Sequence, residues 1–421
     1  MDKLNTKTIA ISFTEGRVIR DFFENGLIDI LKKQNINIVF FTPAERVPYF
    51  RKEWENKGVK IYPLLPFSPN TQELKAERKL ARIKKHLKYF YSHYLQNHHT
   101  NFRTSITYRQ QLIESKCDLL LITNPMYRNE ISLWSTAKKL GIPVIGALRS
   151  WDNLHQGLKI YPDKLLVWNE VNKQEAIELM GIEESKIAII GACQFDVYFD
   201  PKLILNKEEL CSKYNLNPNK PIITIATIGE LWNGWDENGN IDQLLELNKT
   251  EFNNELQFII RLHPGTKYER MMNYDKINNV CISHVTKQVP TLGWYMDKED
   301  VGMLGSILKH SDLVISPGST ITIETAIFDT PTLFPIYNYY QPEFGVECYK
   351  IILPRHHKRL RDLKLIPFIE APRDLLPAIK KALEQPNWFK EERKRLFNDY
   401  IVYNDGQSTH RLAKAISDHI A

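Results

Sequence analysis

The feature that most constrains this chain is a rhythm. Short apolar runs alternate with amphipathic, charged stretches over nearly its whole length. The runs Thr8–Phe13, Ile36–Thr42, Lys60–Leu64, Leu119–Thr123, Pro143–Ala147, Lys164–Trp168 and Lys186–Ile190 have the length and β-branched content of buried strands. Helix-like segments separate most of them: Val18–Gln34, Arg46–Lys57, Asn129–Leu140 and Val171–Met180. Such alternation predicts βαβ units around a parallel sheet.

The rhythm breaks over 198–221, a stretch with three prolines and several Asn and Lys. It then resumes with strand-like Ile222–Thr227, Leu256–Leu262, Val280–His284, Leu313–Ser316, Thr332–Pro335 and Lys350–Leu353. Helix-like Ile241–Asn253, Tyr268–Asn273, Val301–His310, Ile321–Phe328 and Asp374–Glu384 lie among or after these runs, and Gly406–Ile420 reads as a final helix. The expected fold is therefore α/β: two doubly wound Rossmann-like domains facing a central cleft. One spans 1–200 and the other 221–400, with a linker over 201–220 and a C-terminal helix in 401–421. At 421 residues the chain is long enough for two such domains.

Composition narrows the classes. No run of about 18 apolar residues suggests a spanning helix. The N-terminus enters a strand-like run without a secretory apolar core, so the expected location is cytoplasmic. Five scattered cysteines with no C-x-x-C pair argue against a disulfide framework or a structural zinc site. The net charge of +6 is mild but uneven. Between Lys75 and Arg109 stand nine Lys/Arg and one Glu, interleaved with Tyr89, Phe90, Tyr91 and Tyr94. Two readings stay open: a solvated helix face, or a peripheral contact with anionic lipid at the inner membrane face or with a phosphate-bearing acceptor. Nucleic acid is a weaker third, since no recognition motif accompanies the charge.

Ligands of open α/β sheets bind at the carboxyl ends of strands, so chemistry is sought there. No G-x-G-x-x-G, P-loop or D-x-D occurs, which lowers a nicotinamide dehydrogenase, a P-loop NTPase or a metal-chelating carboxylate pair. Leu313–Ser316 runs into Ser316-Pro317-Gly318-Ser319-Thr320 at a helix entrance, with Glu324 a turn later. Glycine permits close backbone approach, and N–H groups at a helix start suit a diphosphate. Glu324 would then accept from ribose or sugar hydroxyls; the plainer alternative is a capping box. Leu256–Leu262 ends in Arg-Leu-His-Pro-Gly. There Arg261 offers a fork for phosphate and His263 a donor, acid or base. Structural alternatives are a salt bridge for Arg261 and a turn for His263.

In the first half, Leu148–Gly157 packs Arg149, Trp151, Asp152, Asn153 and His155 into one loop. Asp152 is the leading candidate for deprotonating an acceptor hydroxyl, against an Asx-turn reading. Glu15 is the second, and Arg17, Arg149 and Trp151 would serve the acceptor side. Gly229 opens GELWNGWDENGN, a loop that closes over the donor or is plain surface.

These residues carry a resemblance. Arg-Leu-His-Pro, Ser-Asp-Leu-Val-Ile-Ser-Pro-Gly-Ser-Thr and Glu324 resemble the nucleotide half of GT-B glycosyltransferases. The likeness is to the group holding CDP-glycerol glycerophosphotransferases, capsule polysaccharide transferases and UDP-GlcNAc 2-epimerases. Leu166–Tyr198, with its Gly-x-x-x-Phe-Asp turn, and the tail Asp405-Gly-Gln-Ser-Thr-His-Arg are similar to the same group; the first 140 residues match in rhythm only. The resemblance implies that Arg261 and His263 contact donor phosphate or the reacting centre. It implies that Ser316, Gly318, Ser319 and Thr320 cradle the diphosphate and that Glu324 holds ribose or sugar. Glycerophosphotransferases usually show Asp-Tyr-Ser-Ser where this chain has Pro-Gly-Ser-Thr, which favours sugar transfer.

The expectation is thus a metal-independent transferase with no cofactor. It would move a sugar from a nucleotide-activated donor to a glycan or lipid-linked acceptor in surface (capsule, cell-envelope) polysaccharide synthesis. The alternatives are a CDP-alditol phosphotransferase, a UDP-sugar 2-epimerase and a nucleotide-sugar binding module without turnover.

Overall fold

The computed structural model describes residues 6–66, 103–228, 237–285, 287–318, 320–340 and 357–420. Most of the basic stretch 75–109, the loop from Gly229, Ser319 and the expected strand Lys350–Leu353 lie outside the described residues. The chain divides into two compact units. Unit 1 holds 1–196, 288–295 and 407–421, and unit 2 holds 197–287 and 296–406.

Unit 1 is built on seven parallel strands among the described residues. They are β1 (Thr8–Ser12), β2 (Asn37–Thr42), β3 (Lys60–Pro63), β4 (Leu119–Ile122), β5 (Val144–Ala147), β6 (Lys164–Val167) and β7 (Ile187–Ile189). Their order is β3-β2-β1-β4-β5-β6-β7. The central strands are buried on both faces, which is why they read as continuous apolar runs. An aromatic knot of Phe13, Phe23, Phe40, Phe50 and Trp54 closes one face. Its Phe23–Phe40 stack, at 5.0 Å between centroids, adds ~0.5–1.5 kcal/mol beyond area burial.

The run Val18–Gln34, expected as one helix, is two pieces. A π-type turn over Ile19–Phe23 and a helix over Leu27–Lys33 meet at Gly26, whose φ of 86° ends regular winding. The helix Glu170–Met180 starts where expected because Asn169 caps Asn172 N–H at 2.8 Å, and it stops at left-handed Gly181.

Unit 2 repeats the plan with β8 (Ile222–Ala226), β9 (Gln257–Arg261), β10 (Val280–Ser283), β13 (Leu313–Ile315), β14 (Thr332–Pro335) and β15 (Phe368–Ile369). Their order is β10-β9-β8-β13-β14-β15, again parallel. The missing numbers, β11 (Gln288–Val289) and β12 (Gly293–Trp294), form an antiparallel hairpin that belongs to unit 1.

Three segments sit differently from the expected boundaries. The hairpin, expected inside the second domain, joins unit 1: Val289 and Leu292 enter its core, and Gly16 N–H donates to Leu292 O at 2.8 Å. The helix Ser408–Ile420 also joins unit 1, burying Leu412, Ala413 and Ile416 in the same core. The Asp196 carboxylate accepts from Ser408 N–H (3.0 Å) and Thr409 N–H (2.7 Å), so the Phe-Asp turn and the tail motif meet. Finally, 201–220 lies in unit 2. Its helix Lys207–Tyr214 carries a capping box between Asn206 and Glu209 and buries Leu210 and Cys211. Its polar composition hides two apolar residues that suffice to dock one face. Among the described residues, no helix is long and apolar enough to cross a membrane.

Candidate functional site

Each sheet reverses strand order once, and chain ends diverge there to leave room for a ligand. In unit 2 the switch lies between β8 and β13. After β13, Ser316 is fully buried, and its N–H stays on the ladder through Leu333 O (3.0 Å). The backbone then turns at Gly318, with φ 110°. A Cβ there would lie 2.8 Å from Phe334 Cζ and 3.2 Å from His357 Cε1, so only glycine fits. Thr320 opens a helical run, α over Ile321–Glu324 and 3-10 over Thr325–Phe328. Thr322 Oγ1 donates to Ser316 Oγ at 3.3 Å, tying the helix back to the loop.

Glu324 is buried, and its Oε2 accepts from the Tyr198 hydroxyl at 2.5 Å. It is not a capping-box partner, since Thr320 makes no side-chain cap bond. Tyr198, absent from the expected set, comes from the 3-10 segment Cys193–Phe199 and packs edge-on against Phe328.

Arg261 points inward. It is 4% exposed, Nη1 donates to Ser283 Oγ (2.8 Å), and Ser283 in turn accepts from Tyr214 OH (2.9 Å). Burial pulls its pKa down, against the opposing pull of Tyr214, Tyr198, Asp300 and Glu324. The guanidinium is thus buried and engaged by Ser283 of β10. His263 sits at the strand end. Its N–H donates to Thr227 Oγ1 (2.7 Å), and its Nδ1 accepts from Gly265 N–H (3.0 Å). That bond assigns the neutral ring's proton to Nε2. His357, beneath Gly318 and edge-on to Phe334, is a second buried histidine that no motif flagged.

In unit 1 the switch lies between β1 and β4, and a charged cluster occupies it. Glu15 Oε2 receives Arg149 Nη2 at 2.7 Å and Arg17 Nη2 at 2.8 Å. Arg149 Nη1 also faces Asp21 Oδ2 at 3.6 Å, and Asp21 pairs with Arg20 at 2.6 Å. Burial would raise the Glu15 pKa, but the Arg149 and Arg17 charges and the Tyr127 hydroxyl outweigh it and hold the carboxyl below its ordinary range. Trp294, from the hairpin, lies 5.9 Å from Arg17 and 5.7 Å from Arg20. Its carbonyl would stand 2.5 Å from any Cβ at Gly16, so the hairpin rests on a glycine.

The Arg149–Gly157 loop is held by Asn153, whose Oδ1 accepts from Arg149 N–H (3.0 Å) and Ser150 N–H (2.9 Å). Asp152 is half-buried at the start of the 3-10 turn Asn153–Gln156 and makes no capping bond. Trp151 is buried, and its carbonyl accepts from Asn172 Nδ2. Its indole therefore packs in the interior rather than offering a face to an acceptor. Of the first-half candidates, the structure brings Glu15, Arg17 and Arg149 into one cluster. It adds Asp21 and Arg20, which sequence reasoning missed because they sit inside what reads as a plain amphipathic helix.

Two doubly wound parallel-sheet units define a fold class, and solved structures share it. The UDP-GlcNAc 2-epimerase of Neisseria meningitidis, bound to UDP-GlcNAc, superposes with a TM-score of 0.58 at 14% identity, covering 98% of this chain and 100% of that one. A glycosyltransferase from Rickettsia africae gives 0.54 at 14% identity over 98% and 99%. The wall teichoic acid polymerase TagF, soaked with CDPG, gives 0.52 at 15% identity over 100% and 90%. The chain has the GT-B fold of these proteins. No protein-family model and no curated protein matches it.

Proposed function

We propose that the protein is a glycosyltransferase that takes a sugar from a nucleoside-diphosphate donor bound by unit 2 and passes it to a hydroxyl of a glycan or lipid-linked glycan held by unit 1, in surface polysaccharide synthesis. The observation that carries the reading is the loop 316–320: a glycine locked at positive φ, at the switch point of a nucleotide-type sheet, opening onto a helix. Backbone N–H groups there meet the charge that develops on the leaving diphosphate, so the step draws on preorganised dipoles. Glu324, held by Tyr198, supplies the acceptor oxygens for a vicinal diol. In this reading His263, with its proton on Nε2, donates to a phosphate oxygen. The likeness to proteins seen with UDP-GlcNAc and with CDPG supports a nucleotide-linked ligand. UDP-sugar 2-epimerisation is the second reading, favoured by the match to an epimerase over the full length of both chains.

A thermal-shift screen against UDP, GDP, CDP, CMP and their sugar or glycerol conjugates tests this, because a ligand that binds only the native state raises its melting temperature. A shift with a nucleoside diphosphate and its sugar supports the reading. A shift confined to CMP or CDP-glycerol points to alditol-phosphate transfer. Turnover of UDP-GlcNAc without any acceptor points to epimerisation, and no shift at all overturns the donor site.

A further inference from the structure

Unit 2 holds a recess of about 270 Å³, and one of its walls reaches the candidate donor site. Its sides are the chain just after Val197, the C-terminal end of the helix Lys298–His310 and the 3-10 turn Thr325–Phe328. Tyr198, Phe199, Ile204, Ile327 and Phe328 line it, and Lys309 brings a positive charge. Close packing fixes these walls. Gly305, inside the helix, lets 198–204 lie against it: a Cβ there would stand 2.7 Å from Tyr198 Cδ1 and 2.8 Å from Ile204 Cδ1. Ser306 Oγ accepts from Leu205 N–H at 2.9 Å, and His310 Nε2 donates to Leu205 O at 2.8 Å. Tyr198 packs edge-on against Phe328, with 5.5 Å between centroids. Walls held in this way make a preformed recess, the kind that small molecules use.

Size and lining define the guest. A cavity of about 150 Å³ admits benzene, and drug-sized ligands take roughly 300–1,000 Å³, so the recess suits one ring with a short substituent. Aromatic walls favour an aromatic guest through offset and edge-on contacts. Lys309 is exposed, and the carboxylates next to the lining residues along the chain are engaged elsewhere. Asp200 accepts from Lys202 N–H at 3.0 Å, and Asp329 pairs with Arg393 at 2.8 Å. The ammonium charge of Lys309 therefore complements an anionic substituent on the ring.

We propose that this recess is a second ligand site, for a small aromatic anion, coupled to the donor site through Tyr198. Tyr198 is one of its walls, and the hydroxyl of the same residue donates to Glu324 Oε2 at 2.5 Å. A guest packed on the Tyr198 ring restricts its motion and so holds Glu324 in place for a ribose diol. Ordering done by one ligand lowers the cost of binding the next, so the two bind with positive cooperativity. The coupling is reciprocal: each ligand tightens the other by the same factor. The site stands on unit 2 alone, whereas the coupling rests on the donor role proposed for Glu324.

The probe is phenylacetate, followed by saturation-transfer NMR on the intact protein. Benzyl alcohol lacks its charge and acetate lacks its ring. Phenylacetate is expected to bind at one site, and the two controls more weakly. Lys309→Gln weakens it by about threefold. Ile327→Trp fills the recess and abolishes binding, while its melting curve reports that the variant is folded. No binding to wild type, or wild-type binding in Ile327→Trp, overturns the site. Wild-type binding in Lys309→Gln overturns the anionic guest, and that surface variant decides alone if Ile327→Trp does not fold. With the nucleotide that the screen retains at saturation, phenylacetate should bind about fivefold more tightly. Tyr198→Phe keeps the ring, removes the hydroxyl and should lose that gain. No gain in wild type, a gain that survives in Tyr198→Phe, or displacement of phenylacetate by the nucleotide overturns the coupling. If no nucleotide binds, the donor reading fails and the coupling with it, and the two recess variants still decide the site.

Discussion

The two candidate switch-point sites meet the same topological problem with different materials. Unit 2 builds its site from backbone: a glycine at φ 110°, buried small hydroxyls and a helix entrance within nine residues of sequence. Unit 1 builds its site from side chains. Glu15, Arg17, Asp21, Glu130 and Arg149 arrive from the ends of three strands, and Trp294 comes from a hairpin far along the chain. A backbone site depends on one residue that nothing else can replace. A side-chain site depends on the balance of charges that burial has made expensive.

The sharpest way to break that comparison is at Arg149, whose side chain is 5% exposed between two carboxylates. Arg149→Ala strands buried negative charge and should cost ~3–5 kcal/mol of unit 1 stability, read from chemical denaturation. A loss within experimental error would mean that the cluster is not balanced by that arginine. In unit 2, Gly318→Ala must move Phe334 or relax the loop. It should cost ~1–3 kcal/mol and abolish the nucleotide-induced melting shift. A variant that keeps the full shift would remove the loop from the donor site.

Next come His263→Ala and Glu324→Ala, each expected to lower turnover by at least about tenfold, roughly 1.4 kcal/mol, without unfolding the protein. Wild-type rates in both would unseat the donor assignment. A smaller effect sharpens the contrast within unit 1. Arg17 shares the Glu15 carboxylate with Arg149 but is 40% exposed, so Arg17→Ala should cost under ~1 kcal/mol.

The smallest signature is a change of slope with pH. The Glu15 pKa is depressed, so its contribution is present above the ordinary carboxylate range and fades as pH falls through the depressed value. The gap in melting temperature between wild type and Glu15→Gln should therefore close on acidification. The Glu130 pKa is raised, so wild type loses stability as pH climbs from the ordinary carboxylate range toward the raised value. Glu130→Gln should gain on wild type across that window. Melting curves that stay parallel to wild type for both variants would show that folding shifts neither carboxyl.

The sequence by itself determined the class of fold and the place of the unit 2 loop. Period and run length report burial on both faces of a parallel strand, and Ser-Pro-Gly-Ser-Thr after such a run is a local signal because the backbone that makes the site is contiguous. It also marked Glu15, Arg17 and Arg149 singly. Tertiary structure alone decided which of them meet. It decided that Arg261 turns to Ser283 inside the sheet, that Trp151 packs inward, and that Tyr198 rather than solvent holds Glu324. It placed residues 288–295 and 407–421 in unit 1, where apolar residues found a core that no local pattern advertises. It also buried the Glu130 carboxyl completely. The physical reason is common to all of these. Hydrogen bonds and ion pairs are fixed by the few ångströms between side chains that strand order brings together, and strand order is a property of the packed sheet, not of any window along the chain.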